Sequence, residues 1–331
     1  MNMLRQALVD PEVAAEMISS GACLAIAADE SLFARLPRGN WIGGTIPYFM
    51  SESGGSTTRQ KVFVSRLDTY GLNPEICQYD AKTLSRVCLD GPDNGYSLII
   101  LPAFSEVHVE YARNAPTYED MYIKPVCGWI SGKHLEDAPD HIPKVINGRT
   151  GDLLDNQAIV LHVSLPDNVS VNVSILNLFS PGDGDVLQFD TGSFVVGRCL
   201  INGQPGNFAE YLKSIDHDLS LPLVADYQGA SINVSFKSIN ENDKKVELYA
   251  PVYPHMSYRL ARPFDGSYES VFSRHSAGLP EASFSCNCIL NYLYSELEGK
   301  HTGGIVGPMS FGEIAYQLLN QTMVHMTLEQ H

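Results

Sequence analysis

The sequence predicts an α+β fold with α/β-like character, two mixed β-sheets packed face to face under outer helices and built from two similar halves. Three observations predict it. Short, unbroken apolar runs such as CLAIAA (23–28) and SLIILPAF (97–104) read as strands covered on both faces. Helix-starting signals adjoin these runs, with Asp10 before Pro11 and Ser105 before Glu106. Two glycine-bearing apolar segments, WIGG from Trp41 and GWISG from Gly128, read as equivalent strand ends and suggest an internal duplication.

In chain order, 11–19 is a helix stopped by Gly21, and 23–28 is a buried strand. A helix over 30–36 leads into WIGGTIPYFM (41–50), and the Gly- and Ser-rich stretch 51–59 is a loop before the alternating strand 61–67. The pattern then recurs as strand 97–104, a helix capped by Ser105, and strand 125–132. From 144 to 188 the pattern is a β-meander, with strands 158–165 and 169–179 joined by Pro166-Asp167-Asn168, a sequence suited to a turn. Strand 194–201, the turn Asn202-Gly203 and a helix capped by Asn207 set a soft boundary, giving an N-terminal region 1–203 and a C-terminal region 204–331 within one unit. Beyond it come strands 230–239 and 246–253 across a polar turn, helix 266–274, strand 282–289, helix 290–298, and strands 303–314 and 321–328. Where a strand runs directly into a helix, the strand's carboxyl end faces a helix N-terminus, which is a natural binding locus.

The bulk numbers exclude whole classes of function. A net charge of −16 leaves no basic face to displace counterions from nucleic acid or to hold an anionic membrane. No apolar run reaches the roughly 20 residues of a membrane helix, and the first residues lack a basic stretch followed by an apolar one. Seven cysteines, an odd and scattered set, show no disulfide framework and fit a reducing compartment, so the expectation is a cytoplasmic protein. The hydrolase elbow G-x-S-x-G, the Walker A loop, H-E-x-x-H and G-x-G-x-x-G after a strand are all missing.

Several segments resemble FIST domains, sensory modules with an N-terminal and a C-terminal region, in the right order along nearly the whole chain. They are NWIGGTIPYF (40–49), VCGWISG (126–132), the junction carrying Ile201, Gly203, Pro205 and Tyr211, FSCNCILNYLY (284–294), and a close formed by Gly307, Phe311, Gly312, Glu313, Ile314, Asn320, Gln321 and Thr322. The resemblance implies a small-molecule-binding sensor, its ligand an amino acid or similar metabolite, with a separate protein carrying the signal onward. The candidate ligand-binding residues are Gly43, Gly44, Thr45, Trp129, Ser131, Cys286, Asn287 and Glu313. Glycines 43 and 44 remove the Cβ obstacle to a ligand or, equally, to a crossing strand. Cys286 and Cys288 share one side of a strand, as a thiol pair or as two packed thiols; C-x-C without a second pair is no zinc site, and no metal is expected. Glu313 in apolar surroundings must be paired or protonated. Two alternatives remain open: an enzyme with Cys286 as nucleophile and Glu313 as acid or base, and a haem-based gas sensor with His255 or His275 as axial ligand. No cofactor is expected on the main reading.

Overall fold

The alternation inside the run CLAIAA explains its place in the molecule. The computed structural model describes residues 5–70, 72–227 and 230–331. In the strand formed by this run, Ala25 and Ala27 face one apolar cluster, the main core. Leu24, Ile26 and Ala28 face a second, with Ala14, Ile18, Leu32, Phe33 and Trp41. A strand buried on both faces needs no polar alternation, which is why the segment reads as a continuous apolar run.

The chain repeats one supersecondary unit three times. The first copy runs β1 (Gln6–Val9), α1 (Pro11–Ser19), β2 (Leu24–Ala28), α2 (Glu30–Phe33), β3 (Trp41–Thr45), a hairpin of β4 (Tyr48–Ser51) and β5 (Gly54–Thr57), and β6 (Val62–Arg66). The second runs β7 (Leu72–Tyr79), β8 (Gly95–Pro102), α3 (Glu106–Asn114), β9 (Val126–Ser131), a hairpin of β10 (Val145–Asn147) and β11 (Asp152–Leu154), and β12 (Ala158–Ser164).

The third copy opens with β13 (Val169–Leu176) and is then interrupted by an insertion. The insertion comprises β14 (Leu187–Gln188), β15 (Ser193–Val196), β16 (Arg198–Ile201), β17 (Gln204–Asn207), α4 (Phe208–Ser214), β18 (Leu223–Tyr227), β19 (Ala230–Val234), β20 (Phe236–Asn240), β21 (Lys245–Val252) and β22 (Tyr258–Leu260). The copy resumes with α5 (Tyr268–Ser276), β23 (Phe284–Cys288), α6 (Ile289–Tyr294), β24 (Gly307–Ser310), a hairpin of β25 (Glu313–Ala315) and β26 (Gln317–Leu319), and β27 (Met323–Gln330).

The sheet orders make the repeat explicit. The three core sheets are β1-β6-β2-β3-β10-β11, β7-β12-β8-β9-β25-β26 and β13-β27-β23-β24-β4-β5. Each holds one parallel pair, β2 with β3, β8 with β9, β23 with β24, bridged by a helix. Each copy also donates its hairpin to a neighbour. β4 pairs with β24, β10 with β3 and β25 with β9, so the exchange closes cyclically. The insertion builds two further sheets, β17-β16-β14-β22-β18-β19 and β15-β21-β20.

These observations correct several expectations. Among the described residues the two halves are three copies, and the two sheets are five. Strand makes up 41% of the chain and helix 16%, so the molecule is sheet-rich and the α+β label fits only loosely. Strands on both sides of residue 203 share sheets, because β13 pairs with β27 as well. The expected strand 303–314 is two, broken at Phe311-Gly312, where Gly312 takes φ +155. The helices expected over 30–36 and 290–298 close earlier, at Phe33 and Tyr294. Ser105 and Asn207 do cap their helices, whereas Asp10 holds its N-cap position without a side-chain bond. Among the described residues no helix is long and apolar enough to cross a membrane.

Candidate functional site

The repeat places three hydroxyls at equivalent points. Ala28 pairs with Thr45, Pro102 with Ser131 and Cys288 with Ser310, each at the carboxyl end of a parallel pair. All three side chains are buried. Thr45 Oγ1 donates to the Gly132 carbonyl (2.7 Å) and accepts from Lys144 N–H (3.0 Å), and Ser310 Oγ donates to the Gly312 carbonyl (2.9 Å). Ser131 Oγ is buried without a hydrogen-bond partner among the described residues.

The other sequence-predicted residues are buried as well, but they do not all share one interior. A Cβ on Gly44 would stand 3.0 Å from Trp129 Nε1 and 3.2 Å from Ser131 Cβ, while one on Gly43 would stand 2.7 Å from the Phe33 ring. Both glycines therefore serve close crossings of chain and side chains. Trp129 stacks on Phe284 with centroids 5.6 Å apart, tying the second sheet to the third. Cys286 Sγ donates to the Gly128 carbonyl (3.3 Å). Asn287 Oδ1 accepts from Asn291 Nδ2 (3.0 Å) and Asn287 Nδ2 donates to Tyr268 Oη (3.2 Å). Glu313 Oε2 accepts from Thr322 N–H (3.2 Å) and Oγ1–H (2.8 Å), and burial pushes its carboxyl up to about 8.

Gly44, Trp129 and Ser131 thus meet in packed core and not around an open cavity, with Cys286 bonded to Gly128 and Glu313 paired with Trp129 across the ladder, whereas Gly43 faces Phe33 and Asn287 bonds to Asn291 and Tyr268. Burial holds the Cys286 thiol well above its ordinary range. Cys286 pairs across the ladder with Val324, while His325 lies opposite Ser285, so strand alternation sends that imidazole to the other face. The Glu313 carboxyl, in contrast, lies near enough to Cys286 to push its thiol further up. His255 and His275 lie on the exposed surface, and among the described residues no group of three or more His, Cys, Asp or Glu side chains is poised to hold a metal.

The open space lies just beyond this cluster, where the strands end. A cleft of about 410 Å³ is lined by Ala103 and Phe104 after β8, His108 and Val109 of α3, Lys133 and Leu135 after β9, Ile289, Leu290 and Leu293 of α6, and Phe311. Its far wall is the insertion, through Phe194, Val195, Lys237, Glu247, Leu248 and Tyr249. The cleft lies where strands run into helices, and of its lining residues the sequence had named Phe311.

His108 is the polar centre of this wall. Ser105 Oγ caps α3 by accepting from His108 N–H (3.2 Å), which sets the residue in the first turn. Phe104 N–H donates to His108 Nδ1 (3.1 Å), so the neutral ring carries its proton on Nε2. Burial alone lowers the imidazole to about 4, which keeps it neutral near pH 7. That Nε2 is buried and has no partner among the described residues. Phe104 holds φ +67, a left-handed conformation costing a bulky residue on the order of 1–2 kcal/mol. It is also 60% exposed, with its ring 6.2 Å from that of Phe311.

Phe311 in turn lies where Gly132 lacks a side chain, its Cδ1 2.3 Å from an ideal Cβ. Gly132→Ala is expected to push the ring into the cleft and weaken binding of any occupant at least 10-fold. The melting temperature should fall by only a few degrees, because an aromatic ring can move where backbone cannot. An unchanged affinity for a cleft-bound dye would refute this placement.

His108, Phe104 and Lys133 escaped the sequence reading. The signal within reach was a histidine three residues after the cap Ser105, at the end of a buried strand. Comparison with known proteins gives one family model, described as a family of unknown function (DUF6976), matching residues 9–329. No curated protein matches the chain.

Proposed function

The chain thus belongs to the DUF6976 family, and from that premise we propose that it is a small-molecule-binding protein whose ligand occupies the cleft between the ends of β8 and β9, α6 and the inserted sheets. One observation carries the reading: among the described residues the buried Nε2–H of His108 has no partner, in a wall that is otherwise largely apolar. Buried donors are almost always paired, and leaving one unpaired costs about 1–3 kcal/mol. A ligand acceptor removes that cost. The strained backbone of Phe104 is the second support, since strain of this kind collects at ligand clamps.

The rim is apolar and exposed at Phe104, Leu135, Val195 and Leu293, surface that an occupant would cover. The cleft volume is within the range of sites for small molecules. A sensory role, as the FIST resemblance implies, fits a ligand touching both the threefold core and the insertion. Occupancy would bias how the two pack, and a separate partner in the cytoplasm would read the change.

The test is binding of the neutral dye N-phenyl-1-naphthylamine to the full chain. Its fluorescence is expected to rise on binding and to be suppressed at least 10-fold in apparent affinity by Val109→Trp, which fills the cleft. A dye signal indifferent to Val109→Trp, in a variant that still melts cooperatively, would sink the proposal.

A further inference from the structure

We propose that the occupant of this cleft is a monoanion, a carboxylic acid borne on an apolar chain or ring. The inference rests on the small-molecule reading above and goes beyond it by fixing the charge and head group. The first support is an unbalanced cation. The charged residues of the lining are Lys133, Lys237 and Glu247. Lys237 Nζ lies 3.1 Å from Glu247 Oε2, so that pair is neutral.

Lys133 has no ion pair among the described residues. Two of its three N–H donors go to the carbonyls of Ala138 (2.9 Å) and Pro139 (3.1 Å). One donor and a whole positive charge are left over. In a chain of net charge −16, a surplus of positive charge on an apolar cleft runs against the composition of the rest of the molecule. Local complementarity of this kind selects the sign of a ligand.

The second support is the polarity of the buried polar atom. His108 Nδ1 is occupied as an acceptor by Phe104 N–H, so the ring offers a donor and nothing else. The residue stands in the first turn of the nine-residue α3, where the aligned amides favour negative charge. A carboxylate is acceptor-only and satisfies an imidazole N–H and an ammonium together. An alcohol meets the imidazole but leaves the ammonium without its counter-ion, and an amine repels it. Val109, Leu248, Leu290 and Phe311 supply the apolar surface for the rest of the molecule.

Displacement of N-phenyl-1-naphthylamine by three ligands of equal chain length separates the possibilities. Decanoate is expected to displace the dye at a concentration at least 10-fold below that of decanol, with decylamine weaker than either. Lys133→Gln, on a partly exposed side chain, should cut the advantage of decanoate over decanol to under 2-fold. His108→Phe should weaken both decanoate and decanol, and its melting temperature reports whether it folds. Equal displacement by all three ligands overturns the proposal, as does a decanoate preference that survives Lys133→Gln. If the dye does not bind in the cleft at all, the small-molecule reading falls as well; a bound dye with a flat head-group series removes the monoanion alone.

Discussion

Replacing Gly128 by alanine is expected to leave no folded protein. A Cβ at this position would stand 1.8 Å from the carbonyl oxygen of Ile99 and 2.8 Å from its carbonyl carbon. Both belong to the backbone of β8, the parallel partner of β9, in the middle of a sheet whose neighbours on each side are fixed. Overpacked side chains in a core typically cost about 1–3 kcal/mol because they can rotate away. Here no rotamer relieves the contact, and φ at +156 adds strain for any L side chain. The expected loss exceeds about 5 kcal/mol, comparable with the whole stability of an ordinary domain.

The repeat supports the assignment. Gly307 sits at the matching place in the third copy, three residues before Ser310 as Gly128 is three before Ser131, and its Cβ would meet the Ser285 carbonyl oxygen at 2.4 Å. The first copy has Ile42 there and no such contact. Gly184→Ala, with nothing within 4 Å of its Cβ, is the matched control and should melt like the wild type. Soluble yield and a thermal melt followed by circular dichroism decide the point. A cooperative melt of Gly128→Ala within about 5 °C of the wild type would refute the close crossing.

How much of this was legible in the sequence depends on the range of the interaction. Local signals carried over well. The doubly covered run at Cys23, the cap at Ser105 and the kinship of WIGG with GWISG all depend on neighbours along the chain. The third copy was hidden for a physical reason. Its first strand, β13, is cut off from β23 by the insertion, and its glycine strand reads GPMS, with a proline where β9 has Trp129. Each hairpin joins the sheet of another copy, a partner far along the chain that no neighbouring residue marks, so the exchange could not be foreseen.

The site divides the same way. Polar residues at strand ends were marked because they are rare in apolar runs, and Gly44, Trp129 and Ser131 do meet. Their meeting place is sealed, since the same apolar surroundings that made them conspicuous also bury them. The open cleft needs Lys237 and Glu247 from the insertion opposite Leu290 from the core, contacts spanning more than forty residues of chain. Only the assembled fold brings them together.

Glu313 should make the protein lose stability as the solution is made alkaline, and Glu313→Gln should remove that loss. The carboxyl is fully buried, with one oxygen engaged by Thr322 and the other, Oε1, without a hydrogen-bond partner among the described residues. Desolvation outweighs the bonds from Thr322, raising the carboxyl from an ordinary 4.5 to about 8 in the folded chain. Between those values the folded protein holds a proton that the unfolded chain has released. Stability therefore falls as pH rises through the window, being intact below about pH 4.5 and largely lost by pH 8. Across pH 5.5 to 8 the loss amounts to about 3 kcal/mol.

Other buried groups act in the opposite sense on the acid side. His108 and His162 are lowered to about 4, and His217 and His325 are lowered too, so each costs stability as pH drops below the ordinary histidine range. The wild-type profile is thus a dome, and the variant isolates one limb of it. Glutamine keeps an acceptor for Thr322 and presents a neutral amide in place of the acid, so the two proteins should agree within about 1 kcal/mol at pH 5.5. At pH 8 the variant should be the more stable by roughly 3 kcal/mol in urea unfolding. Parallel stability curves across this range would mean that the carboxyl does not hold its proton in the folded chain, and that the desolvation argument at this position is wrong.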